Sequence, residues 1–287
     1  MSAFDTIVIV DWSGGNDRGA TPKKDAIWSA VIRDGRAEAS VYHRNRAVAG
    51  NWLVDLFADE LAAGRRVFAG FDFPFGYPQG FATRVTGSSD PLVLWDWFAA
   101  YIEDAPKRNN RFDLAGGLNA LFPGTGPFWF NGLPKDIPGL PRKGRDRQGH
   151  GIPERRLCEM RARGAFSCWQ MGGAGAVGSQ VMTGMATLSR LRARFPGKIA
   201  VWPFQPLEAP IALVEVWPSL FADDVRRAAG PGDIRDAVQV RTLAARIDRI
   251  QARGRLTTAL AEVPGAACRE EGWIFGLGAG KAEREAA

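Results

Sequence analysis

An apolar run that ends in a carboxylate constrains this chain more than any other stretch: Thr6-Ile7-Val8-Ile9-Val10 leads into Asp11, then Trp12-Ser13-Gly14-Gly15. An unbroken run of this kind predicts a strand buried on both faces. Asp11 then leaves the sheet at its carboxyl edge, where α/β proteins gather ligands, and a small flexible turn follows. The arrangement recurs at Val67-Phe68-Ala69-Gly70-Phe71 before Asp72, and at Ile211-Ala212-Leu213-Val214-Glu215-Val216. Three such strands predict converging carboxylates, which suit a hard divalent cation.

A chain of 287 residues buries roughly three quarters of its unfolded surface and needs neither disulfide nor metal to supply a core. One large domain carrying an insertion is expected. Cys158, Cys168 and Cys268 form no CxxC pair, and His43 and His150 lie far from them in sequence, which argues against structural zinc and a disulfide framework. The N-terminus has no basic stretch followed by an apolar segment, and no apolar run approaches about 20 residues, so a soluble, cytoplasmic protein without membrane contact is expected. The net charge of +6 is mild. Residues 135–163, however, hold nine Lys/Arg against four Asp/Glu, an excess of +5 in one short stretch. Such an excess marks a candidate phosphate-contacting patch.

Strand-like segments at 26–32 and 37–42 flank Arg33-Asp34-Gly35-Arg36, whose Asp-Gly signals a type I′ hairpin and an antiparallel meander. Apolar residues at helical spacing predict a helix over 51–63, ended by Gly64. Asp90-Pro91 predicts a capped helix. Residues 106–153 show no periodicity and read as a long loop or subdomain. A helix is predicted over 178–194. Strands over 198–204 and 211–216 follow, and their short link favours an antiparallel pair. A last helix spans 233–253 with Asp233 as its cap, and 278–287 reads as a tail.

This order, an acid-bearing strand, a two-strand meander, a helix, a second acid-bearing strand, an insertion over about 77–176, a helix, a third acid-bearing strand and an acidic helix, resembles the RNase H-like fold, β-β-β-α-β-α-β-α. More narrowly, the chain resembles an uncharacterised domain-of-unknown-function family of predicted nucleases with that fold. The resemblance is carried by Val8-Ile9-Val10-Asp11-Trp12-Ser13-Gly14, Gly70-Phe71-Asp72-Phe73-Pro74, the segment 167–180, Val214-Glu215-Val216-Trp217-Pro218-Ser219, the segment 233–238, and Glu271-Gly272-Trp273-Ile274. It implies an α/β mixed sheet flanked by helices and a metal-dependent phosphodiesterase acting on DNA or RNA. It also implies that Asp11 and Asp72 match the acids of the first and fourth strands and Asp236 the helical one. Glu215 matches the narrower family, so Asp11, Asp72 and Glu215 are the expected ligands of Mg²⁺ or Mn²⁺, with Asp236 a fourth catalytic acid.

Each acid also has a plainer reading. Asp11 and Asp72 suit turns, Glu215 could point to solvent from an edge strand, and Asp236 suits a helix's first turn. Candidate substrate contacts are Ser13, Gly14 and Lys24 near the first acid, Arg155 and Arg156 in the basic stretch, and Ser179 and Gln180 at a Gly-rich helix entry. That entry, Gly173-Ala174-Gly175-Ala176-Val177-Gly178, matches GxGxxG by letter but lacks the preceding strand of a dinucleotide site. Its glycines either present amides to a phosphate or allow close packing. His150 is a weak candidate acid, and His43 reads as a strand-surface residue. Trp95, Trp97, Trp129 and Trp169 offer stacking surfaces or core. Two other functional classes compete with a nuclease: an actin-like or sugar-kinase-like ATPase, whose first strand also ends in an acid and a Gly-rich turn, and a binder without turnover.

Overall fold

In the computed structural model, which describes residues 3–265 and 270–278, the first apolar run forms β1 (Thr6–Asp11), with Ile7, Val8, Ile9 and Val10 each at most 1% exposed. β2 (Ile27–Arg33) pairs with it antiparallel and turns into β3 (Arg36–Ala37). Asp34 and Gly35 both take positive φ, 49° and 73°, as a type I′ turn requires. The expected third strand is split: β4 (Val41–His43) rejoins β2 after the chain leaves the ladder. This pairing corrects the surface reading of His43. Its ring is buried, with Nε2 2.8 Å from Ser29 Oγ and the ring 4.9 Å from Trp52, and burial pushes its pKa down to about 4.

Helix α1 (Arg46–Ala62) starts earlier than its apolar periodicity, because the Asn45 side chain accepts the Val48 N–H. Its apolar face buries Leu53, Leu56 and Phe57. Among them lies Glu60, whose carboxylate accepts from Thr6 Oγ1 at 2.6 Å, Arg33 Nε at 2.8 Å and Arg65 Nε at 2.6 Å. Burial alone would raise this acid's pKa, but the donors together hold it down at about 2. Glu60 thereby fixes α1 to the face of β1 on which Thr6 lies. β5 (Val67–Phe71) follows and runs parallel to β1.

Residues 73–190 and 265–273 form one of two compact units. It contains α2 (Phe81–Thr86), α3 (Pro91–Tyr101), the strand pair β6 (Asp104–Ala105) and β7 (Arg108–Asn109), α4 (Arg111–Asn119), α5 (Leu157–Arg161) and most of α6 (Gly178–Arg194). Asp90 caps α3 as expected, accepting the Leu92 N–H at 2.8 Å. An aromatic core holds the unit together, with Tyr77 5.1 Å from Trp169 and Phe81 5.6 Å from Phe128. The aperiodic stretch contributes to that core through Phe112, Leu118, Phe128 and Leu140. Its helix α4 is masked in sequence by Gly116-Gly117. The first of these is required, because a Cβ there would lie 2.3 Å from the Pro138 carbonyl oxygen.

The other unit resumes with β8 (Ile199–Val201), β9 (Ile211–Glu215), α7 (Ala222–Ala228), α8 (Arg235–Ala252) and α9 (Leu256–Ala261). β8 and β9 are parallel, not antiparallel as expected. With β8 only three residues long, it rises about 10 Å, a span the linking segment retraces to start β9 at the same end. The sheet order is β3-β2-β1-β5-β9-β8, with β4 also on β2. α8 begins at Arg235 rather than at Asp233, which instead accepts the Gly230 N–H at 3.1 Å. α8 packs on β1 and β2. Thr6 and Asp11 are an odd number of residues apart on β1, so α1 and α8 cover opposite faces. The result is an α/β fold with a mixed sheet flanked by helices. Among the described residues no helix is long and apolar enough to cross a membrane. Cys268 and residues 279–287 of the expected tail lie outside the described residues.

Glu60→Ala is expected to lower unfolding free energy by roughly 2–4 kcal/mol, below the full cost of breaking a buried pair because Arg33 and Arg65 can turn to water. Urea denaturation checks this through a lower midpoint at unchanged slope. A midpoint equal to wild type would show that Glu60 does not anchor α1.

Candidate active site

Parallel pairing of β1 with β5 sets Val10 against Phe71, so Asp11 and Asp72 follow side by side at the carboxyl ends of adjacent strands. Both are half-buried. Asp72 Oδ1 accepts the Trp12 N–H at 2.6 Å, and the two carboxyl groups are close enough for each to act on the other's titration. Burial is the main reason the Asp11 pKa stands well above the usual carboxylate range, and the charges of Asp72 and Asp236 add to it. Burial likewise pushes Asp72 up, to about 7, against the opposing pull of the Trp12 amide. Two acids that cannot ionise together at low cost form a pair wanting a cation.

The third acid comes from α8. Asp236 sits in its first turn and accepts the Asp25 N–H on Oδ2 at 2.7 Å, with the Ala26 amide also contributing. Burial raises Asp236 too, and its charge acts on Asp11 and Asp72. Asp25 was invisible as a site residue in the sequence, being one acid in a polar loop. Pairing of Asp11 with Trp28 brings the end of that loop to the sheet edge, where Asp25, at φ 55°, adds its own charge to the field on Asp11.

Glu215 is placed elsewhere. It registers with Phe71, one residue before Asp72, so its side chain leaves the opposite face of the sheet. Gly70 confirms the alternation, since a Cβ there would meet Ile9 at 2.7 Å and Val216 at 2.9 Å, on the face that carries Asp11 and Asp72. Glu215 is buried at 2% exposure, which sets aside its solvent-facing reading.

In the turn after β1, Ser13 Oγ accepts the Gly15 N–H at 3.2 Å, and Gly14 is buried. Arg46, which sequence reasoning missed, is buried at the start of α1. It donates to the carbonyl oxygens of Ser13, at 2.9 Å, and Gly15. Lys24 is exposed.

In the other unit Arg155 is exposed and donates to the Ala165 carbonyl at 2.5 Å, whereas Arg156 is 1% exposed. Its guanidinium donates to Glu159 Oε1 at 2.7 Å and to the Glu271 carbonyl at 2.9 Å, so it is a core residue and not a surface clamp. Much of the basic stretch is paired at home: Arg142 with Asp136, Arg147 with Glu154, Lys135 with Asp113. Ser179 donates to the Met171 carbonyl at 2.5 Å and accepts from Arg111 Nε at 2.9 Å, while Gln180 is half-buried. Close packing accounts for Gly178: its N–H donates to the Gln170 carbonyl, and a Cβ would lie 2.7 Å from that oxygen. Trp95 and Trp169 are core, and His150 Nδ1 accepts the Ile152 N–H at 3.3 Å.

Among the described residues no group of three or more His, Cys, Asp or Glu side chains is positioned to hold a metal ion. The site offers instead two carboxyl groups in contact and a third within electrostatic reach. That donor set fits Mg²⁺ or Mn²⁺ bound through one or two carboxylates with water and substrate oxygens completing the shell. Comparison with family models, with curated proteins and with solved structures finds no match.

Because Asp11 and Asp72 hold protons more tightly folded than unfolded, their stabilising contribution is full below the ordinary carboxylate pKa near 4 and is lost as pH rises toward 7. Without metal, Asp11→Asn is therefore expected to gain stability over wild type by at least about 1 kcal/mol between roughly pH 4 and pH 8. His43 titrates with opposite sign in both proteins and cancels in the difference. Denaturation of the two proteins across that range checks it, and parallel pH profiles would refute the raised pKa of Asp11.

Proposed function

We propose that this chain is a divalent-metal-dependent phosphodiesterase, a nuclease of RNase H-like fold that acts on DNA or RNA. The observation that carries the reading is the Asp11–Asp72 pair at the ends of adjacent parallel strands, with Asp236 on the first turn of the helix packed over β1. The fold part is supported by the element order: an antiparallel meander, a helix, a strand parallel to the first, a long insertion, and a final acid-bearing helix after the last central strand. β8, outside β9 at the edge, is an addition to the simple order.

Asp11 and Asp72 would hold Mg²⁺ or Mn²⁺, which when bound activates a water and neutralises charge on the phosphoryl oxygens. The protein's own contribution is preorganisation. The Trp12 amide fixes one oxygen of Asp72, the Asp25 and Ala26 amides fix Asp236, and Arg46 holds the turn through which β1 leaves the sheet. The negative field of Asp236 and Asp25 on Asp11 strengthens the hold on a cation. On this reading Asp236, already a candidate catalytic acid, is the third acid beside the pair.

Asp11→Asn is expected to remove cleavage, by at least about 100-fold, across a panel of single-stranded, duplex and branched substrates. Mn²⁺ should raise the Tm of wild type by mass action and leave that of Asp11→Asn unmoved, while Glu215→Gln keeps its Mn²⁺ response relative to its own metal-free Tm. An Mn²⁺ shift undiminished in Asp11→Asn, or undiminished cleavage, would remove the acid pair from the centre of this reading. A metal response without cleavage of any substrate would make the protein a binder.

A further inference from the structure

Helix α8 carries a second polar feature away from its acidic first turn. Two of its buried polar atoms, Thr242 Oγ1 and Arg246 Nε, have no hydrogen-bond partner among the described residues. The residues are 8% and 9% exposed. One helical turn separates them, so they share a face with Cβ atoms about 5–6 Å apart. The hydroxyl and the guanidinium N–H are both donors. A buried donor without an acceptor is unfavourable, and two on one face call for a common acceptor.

Among the described residues none supplies that acceptor. Asp224 of α7 approaches, but its Oδ2 is 3.9 Å from Arg246 Nε, beyond hydrogen-bond range, and its Oδ1 is engaged by Arg227. The surroundings are strongly positive. Arg249 and Arg253 follow along α8, Arg227 faces from α7, and their charges act on Arg246 in the same direction as burial, lowering its pKa against the opposing pull of Asp224. The positive field of Arg227, Arg249 and Arg253 therefore falls on the two unused donors, with Asp224 opposing it.

We infer that the α7–α8 junction around Thr242 and Arg246 binds a tetrahedral oxyanion: a phosphate group, free or carried on a nucleic-acid backbone. Phosphate offers several acceptor oxygens at once, matching the planar donor fork of arginine and leaving others for the hydroxyl. The inference stands on α7 and α8 alone and does not depend on the acid pair being catalytic.

Titration calorimetry of inorganic phosphate into the full chain, at constant ionic strength set with chloride, tests it. Wild type and Asp11→Asn are expected to bind with one saturable site and equal affinity, so a failed nuclease assay leaves this result intact. Thr242→Val should weaken binding about tenfold and Arg246→Met about a hundredfold. In chloride the Tm of Arg246→Met should hold or rise, because an uncompensated buried charge is gone. An arginine with a purely structural role would instead lower Tm and leave phosphate affinity alone. A short single-stranded oligonucleotide that displaces phosphate identifies the backbone as the source, and bound phosphate that resists displacement identifies free phosphate. No saturable heat in wild type up to tens of millimolar phosphate would assign the two donors to a buried water and overturn the inference, as would unchanged affinity in Arg246→Met.

Discussion

Two carboxyl groups stand in contact because two parallel strands are in register, and the site depends on that constraint. The hydrogen-bond ladder that aligns Val10 with Phe71 forces Asp11 against Asp72. Repulsion between them helps to raise the Asp11 pKa, and the Trp12 amide donates to Asp72. Relaxing the pair would mean slipping β1 against β5, which would turn every buried side chain of one strand to the wrong face. The energy of the apolar core therefore holds an arrangement that the carboxyl groups alone would not adopt.

Glu60 plays the converse role on the other face. There a single buried acid is surrounded by donors from β1, β2 and the loop before β5, and it lies well below the ordinary carboxylate range. One chain thus places one buried acid among donors and two half-buried acids beside other acids. The first environment is electrically settled by its own donors, and the second is not.

What was legible in the sequence was local. The apolar run of β1, the Asp-Gly turn, the Asp90-Pro91 cap and the periodicity of α6 each depend on residues a few positions apart, and each appears in the structure. The rest depended on pairing between distant segments. The direction of β8 against β9 followed from the length of β8, which alternation does not reveal. The face taken by Glu215 followed from a one-residue offset against Phe71, and the burial of His43 from β4 rejoining β2. Asp25 entered the site because Asp11 pairs with Trp28. Arg156 read as a free cation since its partners, Glu159 and Glu271, are a buried helix residue and one far along the chain.

The polar loop between β1 and β2 is tethered at both ends. Near its start Asp17 receives hydrogen bonds from Arg44 and Asn45 at the head of α1, and at its end Asp25 donates its amide to Asp236 at the head of α8. An exposed segment is thereby strapped between the first turns of two helices on opposite faces of the sheet. Any event that draws Asp236 toward the acid pair pulls on the strap, and its far end sits beside Asn45, the residue that caps α1. The loop is a mechanical link from the acidic edge to the far side of the sheet, running around the core instead of through it.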